Sequence, residues 1–238
     1  FGSKLDVDLN IVTSLVTVLQ NITKAINLAG YEVDELIVSG AGTGLAIFEE
    51  EELVNGAVLI DVGKEITEAS LFIDGKILDS FTFPFGGDDL TQALQDNLKI
   101  LFDEAEEMKI KYGLVTKSEI TNILLPKVEI ALEDIHKKLE PFLKNKKSLP
   151  HVSVVGGVAK MDGFIETIEK VFKMPVNMGS LKSGGKVNDI TFACSLGLMK
   201  YGAKKIIAAT MPNAFMPEPI GLAGRFITKI KSIVSEYF

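Results

Sequence analysis

The sequence has no tryptophan, one cysteine and two histidines in 238 residues. With Cys194 alone an intrachain disulfide framework is excluded, and a single thiol suits a reducing compartment. Cys194, His136 and His151 are too few for a zinc-ligand cluster. Basic charge is also short. The net charge is −7, the wrong sign for neutralising nucleic-acid phosphates. No apolar run reaches the ~18 residues that a membrane-spanning helix requires. A methionine is missing at position 1, so the sequence from Phe1 is expected to be part of a longer chain.

What is present is apolar and patterned. Hydrophobic residues make up 47 % of the chain, enough for a sizeable core. Residues 4–12 alternate weakly, as in a strand. Apolar positions then recur at helical spacing over 13–29 and stop at Gly30. A short buried strand is expected at 35–39, a loop at Gly40–Gly44 and a helix at 45–53. The clearest β segment follows. Strands at 57–61 and 67–73 precede an Asp74-Gly75 hairpin turn and a third strand at 76–83. Gly86-Gly87 breaks the chain before a helix over 89–108, and an amphipathic helix runs over 127–142. A buried strand at 152–155 meets Gly156-Gly157, with helices at 163–172 and 189–201 beyond it. Pro212, Pro217 and Pro219 mark a linker before a last helix at 225–238.

Three short motifs could carry chemistry. Asp61-Val62-Gly63 to Thr67 spans the end of one strand and the start of the next. A strand-end carboxylate can hold Mg²⁺ through water, a glycine lets backbone N–H groups approach a phosphate, and Thr67 adds a hydroxyl. Glu106 and Lys109, spaced i, i+3, share a helix face and could meet ribose hydroxyls. Val154-Val155-Gly156-Gly157-Val158 delivers a Gly-Gly turn into a helix, which admits a flat ring or a phosphate. Each also has a plain structural reading: a hairpin, a surface ion pair, a tight strand–helix turn. Gly40-Ala41-Gly42-Thr43-Gly44 superficially matches a dinucleotide fingerprint. Leu45 stands where its third glycine belongs, and no ribose-binding acid follows.

The order of the motifs is more specific than any one of them. Asp-x-Gly, Thr, a hairpin, Gly-Gly, Ala-Glu-x-x-Lys and a later strand with Gly-Gly resemble the actin/Hsp70 ATPase superfamily. The wording of "GAVLIDVGKEITEASLFIDGKILDSFTFPFGGDDLT", "AEEMKIKYG", "VSVVGGVAKMDGFIETIEKVFKMPVNMG" and "DITFACSLGLMKYG" resembles the FtsA family of bacterial cell-division proteins, over nearly all of the chain. The resemblance implies an α/β fold of the actin-like (ribonuclease-H-like) type, a mixed sheet with flanking helices. It implies ATP and Mg²⁺ as cofactors. Asp61, Gly63 and Thr67 match the second phosphate motif, with Asp61 reaching Mg²⁺ through water and Gly86 and Gly87 alongside. Glu106 and Lys109 match the ribose-contacting pair. Gly156, Gly157 and Val158 match the adenosine motif. The implied division is a remnant of the first actin-like domain over 1–56 and a second domain with half the cleft over 57–182. A helix returning to the first domain (183–205), a linker (206–220) and an amphipathic helix (221–238) follow.

The chain departs from the family in three places. The glycine-rich turn after Gly63 is Lys64-Glu65-Ile66, which brings Glu65 toward the phosphates. The first phosphate motif is absent. Few residues separate Gly113 from Lys127, where the family places a small subdomain that receives the tail of the tubulin-like protein FtsZ, so that docking site is reduced.

The terminal segment has its own signature. Phe226, Ile227, Ile230, Ile233, Val234, Tyr237 and Phe238 form one apolar helical stripe, flanked by Arg225, Lys229 and Lys231. Basic flanks suit anionic headgroups. The function that the resemblance implies is a peripheral tether on the cytoplasmic face of the membrane, and the amphipathic segment agrees with it. The full-length protein would bind ATP with at most weak hydrolysis, self-associate into filaments and hold FtsZ-type filaments, without nucleic acid. This chain alone, without the first phosphate motif and with Lys64-Glu65 in the turn, is expected to bind ATP weakly or not at all. A PilM-type pilus-assembly scaffold and a sugar or acid kinase share the fold. The amphipathic tail argues against the first, and no catalytic carboxylate presents itself for the second.

Overall fold

The computed structural model describes residues 11–115, 118–144, 150–182 and 188–210. The sheet is built around β1 (Ala57–Val62), whose residues are buried except for the partly exposed Asp61. Such a run needs cover on both faces. β1 pairs antiparallel with β2 (Thr67–Ile73) and parallel with β4 (His151–Val155). β2 returns through Asp74-Gly75 to β3 (Lys76–Phe83). Both turn residues have positive φ, 52° and 74°, which matches the twist a two-residue hairpin requires. β5 (Asn177–Met178) adds to β4, giving the mixed order β3-β2-β1-β4-β5.

Strand alternation sorts the core into two layers. Val58, Ile60 and Val62 face α4 (Gly87–Leu98), α6 (Glu119–Lys144) and α7 (Phe164–Phe172), with Leu90, Leu94, Leu132, Phe164 and Ile168 fully buried among them. Ala57 and Leu59 face the opposite layer. That layer is built on α2 (Ser39–Ile47), α3 (Glu50–Asn55) and α8 (Ala193–Thr210), with Ile47, Phe48, Leu53 and Leu196. α5 (Phe102–Tyr112) lies beside α4. Short 3₁₀ turns cover Val158–Lys160 and Ile190–Phe192. α1 (Val16–Leu28) buries none of its residues.

Several expected elements differ. No strand forms at 35–39: Glu35 instead accepts hydrogen bonds from Tyr201 and Lys205 of α8. Gly40–Gly44 is helix rather than loop. Its glycines are contact points: a side chain at Gly40 would meet Ser70, one at Gly44 the Phe72 ring, and one at Gly42 the start of α8. Close packing outweighs their low helix propensity. The helix expected over 45–53 breaks at Phe48, which is extended (φ −98°, ψ 147°), and α3 restarts with a capping box in which Glu49 N–H donates to Glu52 at 2.7 Å. The helix expected over 89–108 splits at Lys99, left-handed at φ 57°. α6 runs longer than 127–142 despite Pro126 and Pro141. Its buried stripe Leu124, Val128, Leu132, Ile135, Leu139 continues through and outweighs the proline cost. The last described helix starts at Ala193 after a 3₁₀ turn and continues to Thr210. Residues 1–10, including most of the expected first strand, lie outside the described residues, as do the linker and the helix at 225–238.

The α2–α8 crossing is the tightest point of the fold. A Cβ at Gly197 would land on the Gly42 carbonyl oxygen. Gly197→Ala should therefore push the two helices apart and cost about 1–3 kcal/mol, the usual size for overpacking. Urea unfolding of the variant beside the parent chain reads this directly; an unchanged midpoint would mean the crossing is looser than drawn.

Candidate functional site

The cleft forms where β1 and β4 end and β2 begins. Gly63 N–H donates to Ile66 carbonyl at 2.9 Å, closing a tight turn between β1 and β2. That turn docks on the start of α4: Gly87 N–H donates to Gly63 carbonyl at 3.0 Å and Asp88 N–H to Lys64 carbonyl at 2.8 Å. Gly86 must be bare here, because a side chain would strike the Lys64 carbonyl. Its own N–H donates to Asp89 at 2.8 Å. At the end of β4, Gly156 takes φ +93°, and a side chain would strike the Val62 carbonyl and the Asp61 carboxylate. Gly157 begins the next turn with open space where its Cβ would be.

α5 supplies the facing side of this surface. The Lys109 ammonium is 9 % exposed and donates to Gly87 carbonyl at 3.0 Å, Thr91 Oγ1 at 2.8 Å and Glu106 Oε2 at 2.6 Å. Thr91 Oγ1 also lies against Glu106 and the Gly87 carbonyl. Burial would raise the Glu106 pKa, but its hydrogen bonds from Lys109 and Thr91 prevail and hold it below the ordinary value. Lys160 pairs with Asp189 at 2.8 Å. That contact, with the Thr191 N–H and hydroxyl, pushes the Asp189 carboxyl down to about 2.

Together these parts line one cavity of about 630 Å³, a size usual for small-molecule sites. Six of the expected site residues line it: Gly63, Gly87, Glu106, Lys109, Gly157 and Val158. Four do not. Gly86 and Gly156 support the turns from behind. Thr67 is fully buried, and its hydroxyl is committed to the Phe85 carbonyl at 2.8 Å. Asp61 sits beneath Gly156, directly opposite Glu68 across the β1–β2 ladder. Glu65, expected near the phosphates, is exposed and outside the lining. Lys64, Asp88, Phe102, Asp103, Ile110, Lys160 and Met161 complete the wall. Phe102, Glu106 and Ile110 fall at i, i+4, i+8, a helical face the sequence does display. Among the described residues no cluster of three His, Cys, Asp or Glu side chains could cage a metal.

The family described as cell division protein FtsA matches residues 58–197, more than half of the chain and all of this cleft. The chain belongs to the FtsA family. The FtsA of Pseudomonas aeruginosa is 26 % identical over 232 residues, covering 86 % of this chain and 56 % of that protein. The FtsA of Neisseria meningitidis serogroup B is 26 % identical over 237 residues, covering 85 % and 56 %. The chain thus spans a little over half the length of these FtsA relatives. Among solved structures, MreB5 of Spiroplasma citri bound to ADP superposes with a TM-score of 0.64 at 16 % identity, over 84 % of this chain and 69 % of that one. A chain of the PilM–PilN type IV pilus biogenesis complex gives 0.63 at 22 % identity, over 77 % of this chain and 57 % of that one. The fold is actin-like, as the order of the FtsA-type motifs implied.

Asp61 generates a pH prediction. Burial, with the Glu68 charge adding to it, raises its pKa from 3.8 to about 6. The folded form therefore holds this proton more tightly than the unfolded chain. Stability falls as pH rises from 3.8 to about 6, and above that the full cost, on the order of 3 kcal/mol, is present. Asp61→Asn should be more stable than the parent at pH 7.5, with the difference shrinking to nothing below pH of about 4. Denaturant midpoints of both proteins across that range test it; parallel curves would refute it.

Proposed function

We propose that this chain provides one wall of an ATP-type nucleotide site in an FtsA-like protein that assembles into filaments and tethers FtsZ-type filaments to the cytoplasmic face of the membrane. The carrying observation is the cavity. Gly63 and Gly87, Glu106 and Lys109, and Gly157 and Val158 come from three separate motifs and line one space. The residues fit a nucleotide. Phe102, Ile110, Val158 and Met161 offer an apolar face for a base, Glu106 an acceptor for ribose hydroxyls, and Gly63, Gly87 and Gly157 bare backbone for close approach. Lys109 serves the wall rather than the ligand, since its three donors are engaged. The resemblance assigns Mg²⁺ to Asp61 through water, but Asp61 lies outside the cavity lining beneath Gly156, and burial beside Glu68 disfavours its charged form, so Asp61 is given no Mg²⁺ role. No catalytic residue is assigned, and hydrolysis is taken as weak at most.

FtsZ-type partnership, filament formation and membrane attachment are proposals for the full-length protein. The connection from α5 to α6 runs only from Gly113 to Ser118, shorter than expected, and this supports a reduced FtsZ-docking subdomain. Membrane attachment rests on the sequence pattern of 225–238, outside the described residues. No helix among the described residues is long and apolar enough to cross a membrane. The PilM-type scaffold and the kinase stand second, because the family match favours neither.

Two experiments test this reading. Gly157 has helical φ and ψ of −63° and −40° and open space ahead of it, so Gly157→Val should fold normally and fill the cavity. ATP titrated into the ¹⁵N-labelled chain should shift Gly87 and Gly157 amides in the parent, and at least about tenfold more ATP should be needed when valine is present. Equal binding by both would place the ligand elsewhere. Separately, the chain should pellet with phosphatidylglycerol vesicles at low salt, and Ile230→Glu should leave it in the supernatant. A parent chain that stays soluble with those vesicles, or a variant that pellets equally, would remove the tether.

A further inference from the structure

A nucleotide on this wall needs a counter-charge for its phosphates, and the wall contains three lysines. Lys109 is buried and its ammonium engages three acceptors within 3.0 Å. Lys160 is held by Asp189 at 2.8 Å. Lys64 differs from both. Its side chain is 74 % exposed, and its nearest carboxylate, Asp88, stands 3.7 Å away, too far for a hydrogen bond. Its backbone is fixed, because the Lys64 carbonyl caps α4 through Asp88 N–H. An anchored backbone with an unclamped ammonium is the arrangement that lets a cation reach a ligand without first breaking a tight contact. Lys64 also follows Gly63 directly and faces Gly87, two bare-backbone positions of the cavity lining. Its field reaches one of the cavity's three acids, adding a minor part to the lowering of the Glu106 pKa that Lys109 and Thr91 dominate.

We propose that Lys64 is the anion-binding residue of this cavity and takes the phosphate tail of a nucleoside polyphosphate. This assignment rests on the nucleotide reading above. Where the FtsA resemblance implies a glycine-rich turn that meets phosphate through backbone N–H groups, this chain substitutes a mobile point charge. Glu65, next in the turn, does not line the cavity; the acids that do are Asp88, 3.7 Å from the Lys64 ammonium, Asp103 and Glu106, which is engaged by Lys109.

The test compares ATP with adenosine on the ¹⁵N-labelled chain, following the Gly87 and Gly157 amides. Lys64→Ala should weaken ATP about fivefold, as expected for an exposed ion pair, and leave adenosine unchanged. Lys64→Arg keeps the charge and should retain most of the ATP affinity. Because the side chain is exposed, with a loose 3.7 Å approach to Asp88, and its firm structural contact is through the backbone, neither substitution should disturb folding. Unchanged ATP affinity in Lys64→Ala would overturn the Lys64 assignment and leave the nucleotide reading standing. Equal losses of ATP and adenosine would overturn it too, by making the effect structural. A parent chain that responds to neither compound would overturn both.

Discussion

The cleft depends on one small docking contact, the carbonyls of Gly63 and Lys64 against the first N–H groups of α4. A helix start carries unsatisfied donors, and a turn of carbonyls is a complementary cap. Two amides take the turn, and the Gly86 N–H takes the Asp89 side chain. The contact works only because Gly86 is bare. It locks the β1–β2 turn to the helix that follows β3, so the sheet edge and the helical layer cannot shift independently. Thr67 reinforces the same joint by donating to Phe85, two residues beyond the end of β3.

Lys109 fixes the second half of the geometry. Burying an ammonium is costly unless its donors are all matched. Here the Gly87 carbonyl, the Thr91 hydroxyl and the Glu106 carboxylate match them, and the acceptors come from both α4 and α5. The residue therefore sets the spacing between the two helices that form the cavity wall. Spacing in the sequence placed Glu106 and Lys109 on one face, and the resemblance assigned both to a ligand. Burial separates them: Glu106 remains partly exposed to the cavity while Lys109 becomes part of its frame.

The strands around the hairpin were legible because alternation, β-branched residues and Asp74-Gly75 all pointed the same way. The 40–44 segment was misread for a physical reason. Glycine spacing says nothing about what lies opposite, and only the three-dimensional partners, Ser70, Phe72 and the start of α8, turn those glycines into helix contacts. Prolines 126 and 141 likewise suggest a shorter helix than the buried stripe of α6 maintains. In the cleft, the readable positions were those where chemistry requires a special residue: Gly63, Gly87, Gly157 and Glu106. Phe102, Ile110 and Met161 were missed because an apolar residue on a helix face or after a turn has the same local signature in a core as in a ligand wall.

A single wall also explains why length matters to the proposed function. A ligand on one surface loses translational and rotational freedom but gains contacts on one side only. The chain spans a little over half the length of its FtsA relatives. Under the nucleotide reading, a ligand that touches both walls favours the arrangement in which they face each other, by an amount set by its differential affinity for that arrangement. Linkage then runs both ways: whatever holds the walls together tightens the ligand, and the ligand tightens the walls. Under the Lys64 assignment, a lysine on a fixed turn suits such a site, because its charge can reach a ligand while the backbone beneath it stays docked on α4.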